Sequence, residues 1–382
     1  MHFLSVTQPS RVAERQGLCE RKRCRSAALS AVAGRKVKSL ATVIVFTMLG
    51  YQCIFKFNSF PVAFDSRFYN RLFCLYTFKL LTQGGLFMKK TVFAGAATAL
   101  ITPMINGGID YKKFEALIED QISKKIDALV VCGTTGESST LTDEEHRNLI
   151  KFCVEKTAGR VPVIAGTGSN DTDYAIDLSK FACEVGADAV LQVTPYYNKT
   201  TQKGLIKHFF AVADAINKPI ILYNVPSRTG MTIKADTYRE LAKHENIVAT
   251  KEASGNLSSV AEIAYECGDA LDIYSGNDDQ IVPIMSLGGK GVISVLSNLL
   301  PYETHKLCKD YLDGNVKEAA AAQIKYIPLI NSLFCEVNPI PVKAAMKELG
   351  FCTDEIRLPL CEISDENRAR LIKDMKEAGL NF

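Results

Sequence analysis

Residues 88–382 read as an α/β chain, a (β/α)8 TIM barrel with a C-terminal helical region. Three observations predict this. Eight short apolar runs alternate with amphipathic stretches of helical period. The runs are apolar almost throughout, as strands covered on both faces are. No G-x-G-x-x-G follows the first run, and Gly166-Thr167-Gly168 is too short to stand in for one, which argues against a doubly wound sheet.

In chain order, strands are expected at 92–101, 128–132, 162–166, 189–193, 219–224, 247–251, 271–275 and 291–295. Helices are expected between them at 111–124, 143–157, 172–185, 202–215, 234–243, 257–267 and 279–287. Eight strand–helix units in about 210 residues fit a closed barrel. Past Val295 the pattern turns helical, at 301–312, 316–333, 341–349 and 365–378. The first of these closes a catalytic barrel at 88–313. The others make a region at 314–382, too small to need a function of its own and expected to pack on the barrel or on another subunit.

The first 87 residues differ in kind. They hold 13 of the 45 Lys and Arg residues and 3 of the 42 Asp and Glu, which leaves 32 against 39 for the remainder. The net charge of +3 therefore hides a basic extension and a mildly acidic main segment. That segment has no basic stripe of the kind nucleic acid requires. Within 1–87 stand basic clusters, an uncharged run from Ser39 to Phe55 and a Phe- and Tyr-rich tail, with no sustained period. A transit peptide and a membrane anchor are both open readings. The favoured expectation is upstream DNA read from a start placed too early. Gln83-Gly84-Gly85 can be encoded by CAG GGA GGT, a ribosome-binding sequence just ahead of the Met88 codon. The favoured reading places no part of the chain in a membrane.

Twelve cysteines are present, eight of them scattered singly after residue 88. They read as free thiols of a reducing compartment, which points to the cytoplasm. His146, His208, His244 and His305 lie far apart and form no ligand motif, so no metal is expected.

Chemistry is expected at the strand ends. Ile247-Val248-Ala249-Thr250-Lys251 is an apolar, β-branched run that stops on a lysine, before Ser254-Gly255-Asn256. In a parallel barrel that end gathers catalytic side chains. An amine in apolar surroundings can attack a carbonyl and form a Schiff base. The plain alternative is a lysine leaving its strand for solvent. The second strand leads into Gly133-Thr134-Thr135-Gly136-Glu137-Ser138, whose hydroxyls and N–H groups suit a carboxylate, or which is an ordinary turn. The fourth leads into Thr194-Pro195-Tyr196-Tyr197-Asn198, and Tyr223 falls at the end of the fifth. These tyrosines are either rim residues or proton carriers beside the lysine. Arg228 follows on a loop, where its planar fork can hold a carboxylate or simply be solvated. Gly276-Asn277-Asp278-Asp279 follows the seventh strand, and Ile293 is an apolar wall residue in the eighth.

The set GTTGES, TPYYN, YNVPSRTG, KEASGN and SGNDD, in this order, resembles the dihydrodipicolinate synthases, a group within the pyruvate-dependent Schiff-base aldolases. The resemblance covers essentially all of 88–382 and none of 1–87. It implies a (β/α)8 lyase that condenses pyruvate with L-aspartate 4-semialdehyde, without a cofactor, on the route to diaminopimelate and lysine. Residue by residue, it implies that Lys251 forms the Schiff base. Tyr223, Thr134 and Tyr197 relay protons, with Tyr197 reaching over from a neighbouring subunit. Thr135 binds the pyruvate carboxylate and Arg228 that of the aldehyde, while Gly276 and Ile293 line the site. It also implies a homotetramer built as a dimer of dimers. Ser138, His146, Asn170 and Tyr196 match a lysine effector site at a dimer interface, but Tyr174 stands where inhibited relatives often carry an acid. Other pyruvate aldolases of the fold, such as N-acetylneuraminate or keto-deoxy-sugar lyases, remain alternatives. So does a silent pyruvate- or lysine-binding protein.

Overall fold

The computed structural model describes residues 89–382. The extension read at 1–87 lies outside the described residues. From there on, each expected strand forms. The strands are β1 Gly95–Ala99, β2 Ala128–Val131, β3 Val163–Gly166, β4 Ala189–Val193, β5 Ile220–Asn224, β6 Ile247–Glu252, β7 Asp272–Ser275 and β8 Gly291–Ser294. They pair in parallel, each with its sequence neighbour, and β1 meets β8 to close the barrel. Side chains alternate between two cores. Ala97, Ile164, Ile221, Ala249 and Ile293 point inward, whereas Ala96, Leu129, Val190, Leu222 and Val292 face the helices.

The closing seam depends on glycine. Gly95 and Gly291 are register partners with φ of +124° and +146°. A Cβ on Gly291 would stand 1.7 Å from the Gly95 carbonyl oxygen, so no other residue allows the two strands to meet there.

The surrounding helices are α1 Tyr111–Ser123, α2 Asp143–Thr157, α3 Thr172–Glu184, α4 Gln202–Ala215, α5 Ala235–Leu241, α6 Leu257–Cys267, α7 Ile281–Ser286 and α8 Pro301–Leu312. Short polar side chains start most of them. Asp110, Asp171, Thr201 and Asn256 accept first-turn N–H groups, and Thr142 with Glu145 forms a reciprocal capping box.

Three local expectations need correction. The first strand is shorter than 92–101, because Phe93 stacks on Tyr274 with ring centroids 4.2 Å apart and accepts the Tyr274 hydroxyl at 2.6 Å. The expected helix at 279–287 splits into a 3-10 turn at Asp278–Gln280 and α7. Here the Asp278 carboxylate accepts the N–H groups of Val295 and Leu296, which ties the turn to the end of β8. An unforeseen hairpin, Met104–Ile105 with Gly108–Ile109, turns on Asn106-Gly107, both at positive φ.

The C-terminal helices α9 Val316–Leu333, α10 Ile340–Glu348 and α11 Asp365–Glu377 form as expected. They grip the loops that follow β1, β2 and β7. Lys343 on α10 pairs with Glu137 at 2.6 Å, both about 1% exposed. Gln323 on α9 donates to the Asp278 carbonyl at 2.7 Å. Arg357 donates to both Glu145 oxygens, at 2.6 and 2.7 Å, and to the carbonyls of Thr140 and Gly107.

The Arg357 bonds hold the Glu145 carboxyl down to about 2, helped by the Thr142 N–H. Its folded value lies below its unfolded one, so this contribution is complete above the ordinary glutamate range and is lost as the pH falls through about 2. Arg357→Ala is expected to lower unfolding free energy at pH 7 by about 1 kcal/mol, the pair being partly exposed. Denaturant titrations at several pH values should show the gap between variant and parent narrowing below about pH 4. A gap independent of pH would contradict the assignment.

Candidate active site

The period of a strand sets which side chains enter the barrel. On β6, Ala249 and Lys251 face inward, while Thr250 and Glu252 face the helices. Glu252 is buried and fully engaged. It accepts Asn224 Nδ2 at 2.9 Å, the Tyr238 hydroxyl at 3.3 Å and the Ser254 N–H at 2.9 Å. Asn224 in turn accepts the Ile233 N–H. This network fixes the ends of β5 and β6 side by side.

Tyr223 and Lys251 are register partners across those strands. Both are nearly enclosed, 7% and 6% exposed. The Lys251 Nζ lies 4.4 Å from the centroid of the Tyr223 ring. Buried Lys343 has a carboxylate partner, whereas the Lys251 amine rests on an aromatic face. Gly276, after β7, leaves room for it: a Cβ there would stand 3.2 Å from Lys251 Cε and 2.6 Å from Ala253 Cβ. Ile293 on β8 is fully buried in the same interior cluster as Tyr223. Asp278, two residues past Gly276, is also buried. Burial pushes its carboxyl up, and the Val295 and Leu296 N–H groups and the Lys251 charge oppose this.

The loop after β2 is held from below and from the side. Cys132 and Glu137 adopt left-handed φ of 56° and 57°. The buried pair with Lys343 keeps Glu137 in that conformation, since removing one partner would strand the other charge at a cost of about 3–5 kcal/mol. Thr134 is half-buried and Thr135 is buried. Thr135 Oγ1 accepts Asn338 Nδ2 at 3.0 Å. Arg228 lies exposed on a one-turn helix, Pro226–Thr229, and its Nη2 donates to the Asn338 carbonyl at 3.0 Å.

Tyr197 is not brought to Lys251 within one chain. It is 93% exposed at φ 65° on the loop after β4, and its neighbour Tyr196 is 37% exposed. Of the other four positions of interest, Ser138 lies after β2, His146 on α2, Asn170 just before α3 and Tyr174 on α3. Ser138 opens a 3-10 turn, and the carbonyl of Asn170 accepts Asn198 Nδ2. His146 is buried with its Nε2 2.8 Å from the Gly166 carbonyl oxygen, and burial pushes its pKa down. Tyr174 donates its hydroxyl to Asp143 at 2.9 Å; burial and that carboxylate push the phenol up to about 12.

Sequence reasoning missed Asn338, Lys343 and Glu252. Asn338 touches two expected ligand-binding residues from a loop more than a hundred residues away in sequence. Among the described residues no cluster of three or more metal-ligating side chains occurs. No helix among them is long and apolar enough to cross a membrane.

Comparison with known proteins adds to this geometry. A family model described as the Dihydrodipicolinate synthetase family matches residues 92–378. A 4-hydroxy-tetrahydrodipicolinate synthase of Clostridium perfringens is 57% identical over 289 residues, 76% of this chain and 99% of that protein. One from Acetivibrio thermocellus is 53% identical over 293 residues, 77% of this chain and all of that protein. The crystal structure of dihydrodipicolinate synthase from Aquifex aeolicus superposes with a TM-score of 0.74 at 48% identity, covering 75% of this chain and 98% of that one.

Proposed function

This chain belongs to the dihydrodipicolinate synthetase family, and we propose that Lys251 is the amine on which its reaction runs. The enzyme condenses pyruvate with L-aspartate 4-semialdehyde to give 4-hydroxy-tetrahydrodipicolinate, in lysine and diaminopimelate biosynthesis. The observation that carries the assignment to Lys251 is a buried lysine at the C-terminal end of a barrel strand, its amine on the Tyr223 ring rather than on a carboxylate.

The neutral amine attacks the ketone carbon of pyruvate. The carbinolamine hydroxyl leaves as water, and an iminium remains. Loss of a methyl proton gives an enamine, whose carbon attacks the aldehyde carbon of the second substrate. The amine of that substrate then displaces Nζ, closes the ring and frees the lysine. Each step moves a proton, and the Tyr223 phenol, whose ring lies against the amine, is the group assigned here to carry it. Thr134 and Tyr197 extend the relay, Tyr197 from a second copy of the chain, which its exposure favours. Thr135 holds the pyruvate carboxylate and Arg228 that of the aldehyde, with Gly276 and Ile293 as walls. A sugar-acid lyase would have less use for Arg228 at the mouth.

The working unit in this reading is a cytoplasmic homotetramer, a dimer of dimers. Residues 88–313 form its catalytic barrel, and 314–382 brace the loops that carry the site. A coupled assay with both substrates tests the function. Turnover is expected from the parent chain, and Lys251→Ala is expected to lower kcat by about a thousandfold or more at unchanged thermal stability. Parent-like turnover from Lys251→Ala would overturn the assignment.

Ser138, His146, Asn170 and Tyr196 are proposed as an L-lysine effector face. The Asp143 carboxylate near them is engaged by Tyr174 and Arg147 and has little left for an effector's charge. Initial rates titrated with L-lysine are expected to fall only at high effector concentration. A flat response would remove the effector reading.

A further inference from the structure

Arg228 is assigned the carboxylate of the second substrate, yet little of its own element holds it. Its Nη2 rests on the Asn338 carbonyl, and its backbone belongs to a helix of one turn, Pro226–Thr229. One turn fixes several dihedrals for very few hydrogen bonds and does not persist alone. Side chains around the turn have to set where the guanidinium points.

Thr229 is the next residue, and it is 4% exposed. Its hydroxyl is saturated. It accepts the Thr194 hydroxyl at 3.1 Å and the Met231 N–H at 3.3 Å, and its own hydrogen is within reach of the Met231 and Val225 carbonyls, at 3.1 and 3.3 Å. Val225 precedes the turn and Met231 follows Gly230 at its end, so one oxygen closes the loop that carries Arg228. Thr194 is fully buried just after β4, and its N–H donates to the Tyr223 carbonyl at 3.2 Å. The two hydroxyls therefore tie the Arg228 turn to the strand end beside Lys251. A second contact runs alongside. Lys199, on the loop after β4, crosses Gly230, where a Cβ would stand 3.0 Å from its Cε and Nζ.

Resting on the function proposed above, we propose that the Thr194–Thr229 hydroxyl bridge aims Arg228 and so sets the affinity for L-aspartate 4-semialdehyde. Both threonines are positioning residues, acting on the second substrate through Arg228. Aim matters because a guanidinium fork meets a carboxylate in one plane, along two parallel bonds. Pyruvate, assigned to the loop after β2, does not depend on the bridge.

Steady-state rates with each substrate varied in turn test this. Thr229→Val keeps the shape of the side chain and removes its oxygen. It should raise the aldehyde KM by about three- to tenfold, the range of a lost hydrogen bond, and leave the pyruvate KM within about twofold of the parent. A general loss of folded enzyme would lower the apparent kcat and move neither KM. Thr229→Ser restores the oxygen and should return the aldehyde KM to within about twofold of the parent. Thr194→Val should shift the aldehyde KM in the same direction, and the double valine variant should fall short of the product of the two effects. On an Arg228→Leu background, Thr229→Val should add less than about twofold, because the group it aims is gone. Equal rises in both KM values, an unchanged aldehyde KM in Thr229→Val, no recovery in Thr229→Ser, or effects that multiply with Arg228→Leu would overturn the assignment. Absence of parent turnover would instead overturn the reading of the reaction, and this assignment with it.

Discussion

The site depends on one lateral contact, the Tyr223 ring against the Lys251 amine. It exists because β5 and β6 run parallel in a register that sets the two residues opposite each other. A slip of β6 by one residue would turn Lys251 out toward the helices and away from Tyr223. Glu252 guards against that slip. Its carboxylate bonds Asn224, Tyr238 and Ser254 on the outer face, so strand ends that look apolar in sequence are locked by a buried polar network. Inside, small residues such as Ala97 and Ala249 and the bare Gly276 leave the amine room to be approached.

A barrel alone would leave the loop after β2 poorly held. The left-handed turn at Glu137 is fixed by the enclosed pair with Lys343, and Arg357 spans Glu145, Thr140 and Gly107 beside it. Asn338 reaches the same loop at Thr135. The C-terminal helices therefore act as a brace across the barrel mouth. That explains why residues so late in the chain belong to the description of a site formed at the strand ends.

What was legible in the sequence follows from range. The strands were readable because an apolar run between turn residues is a local signal, and Lys251, Tyr223 and Thr135 fall at the strand ends where such runs stop. Gly276 was legible as a turn, though its service to Lys251 needed the third dimension. Asn106-Gly107 carried a plain hairpin signal that was passed over. Asn338 and Lys343 gave no local sign: each meets its partner across more than two hundred residues, and no periodicity encodes such a contact. Tyr197 marks a different limit. Its ring is 93% exposed in a single chain, so neither the local sequence nor the barrel shows what it meets.

The central claim is that Lys251 forms a covalent imine with pyruvate. Borohydride reduction in the presence of pyruvate, followed by peptide mapping by mass, tests it directly. The account predicts one reduced pyruvyl group, carried by the peptide that contains Lys251 and lost when pyruvate is omitted. Modification of another lysine, or none at all in a protein that turns over both substrates, would contradict it.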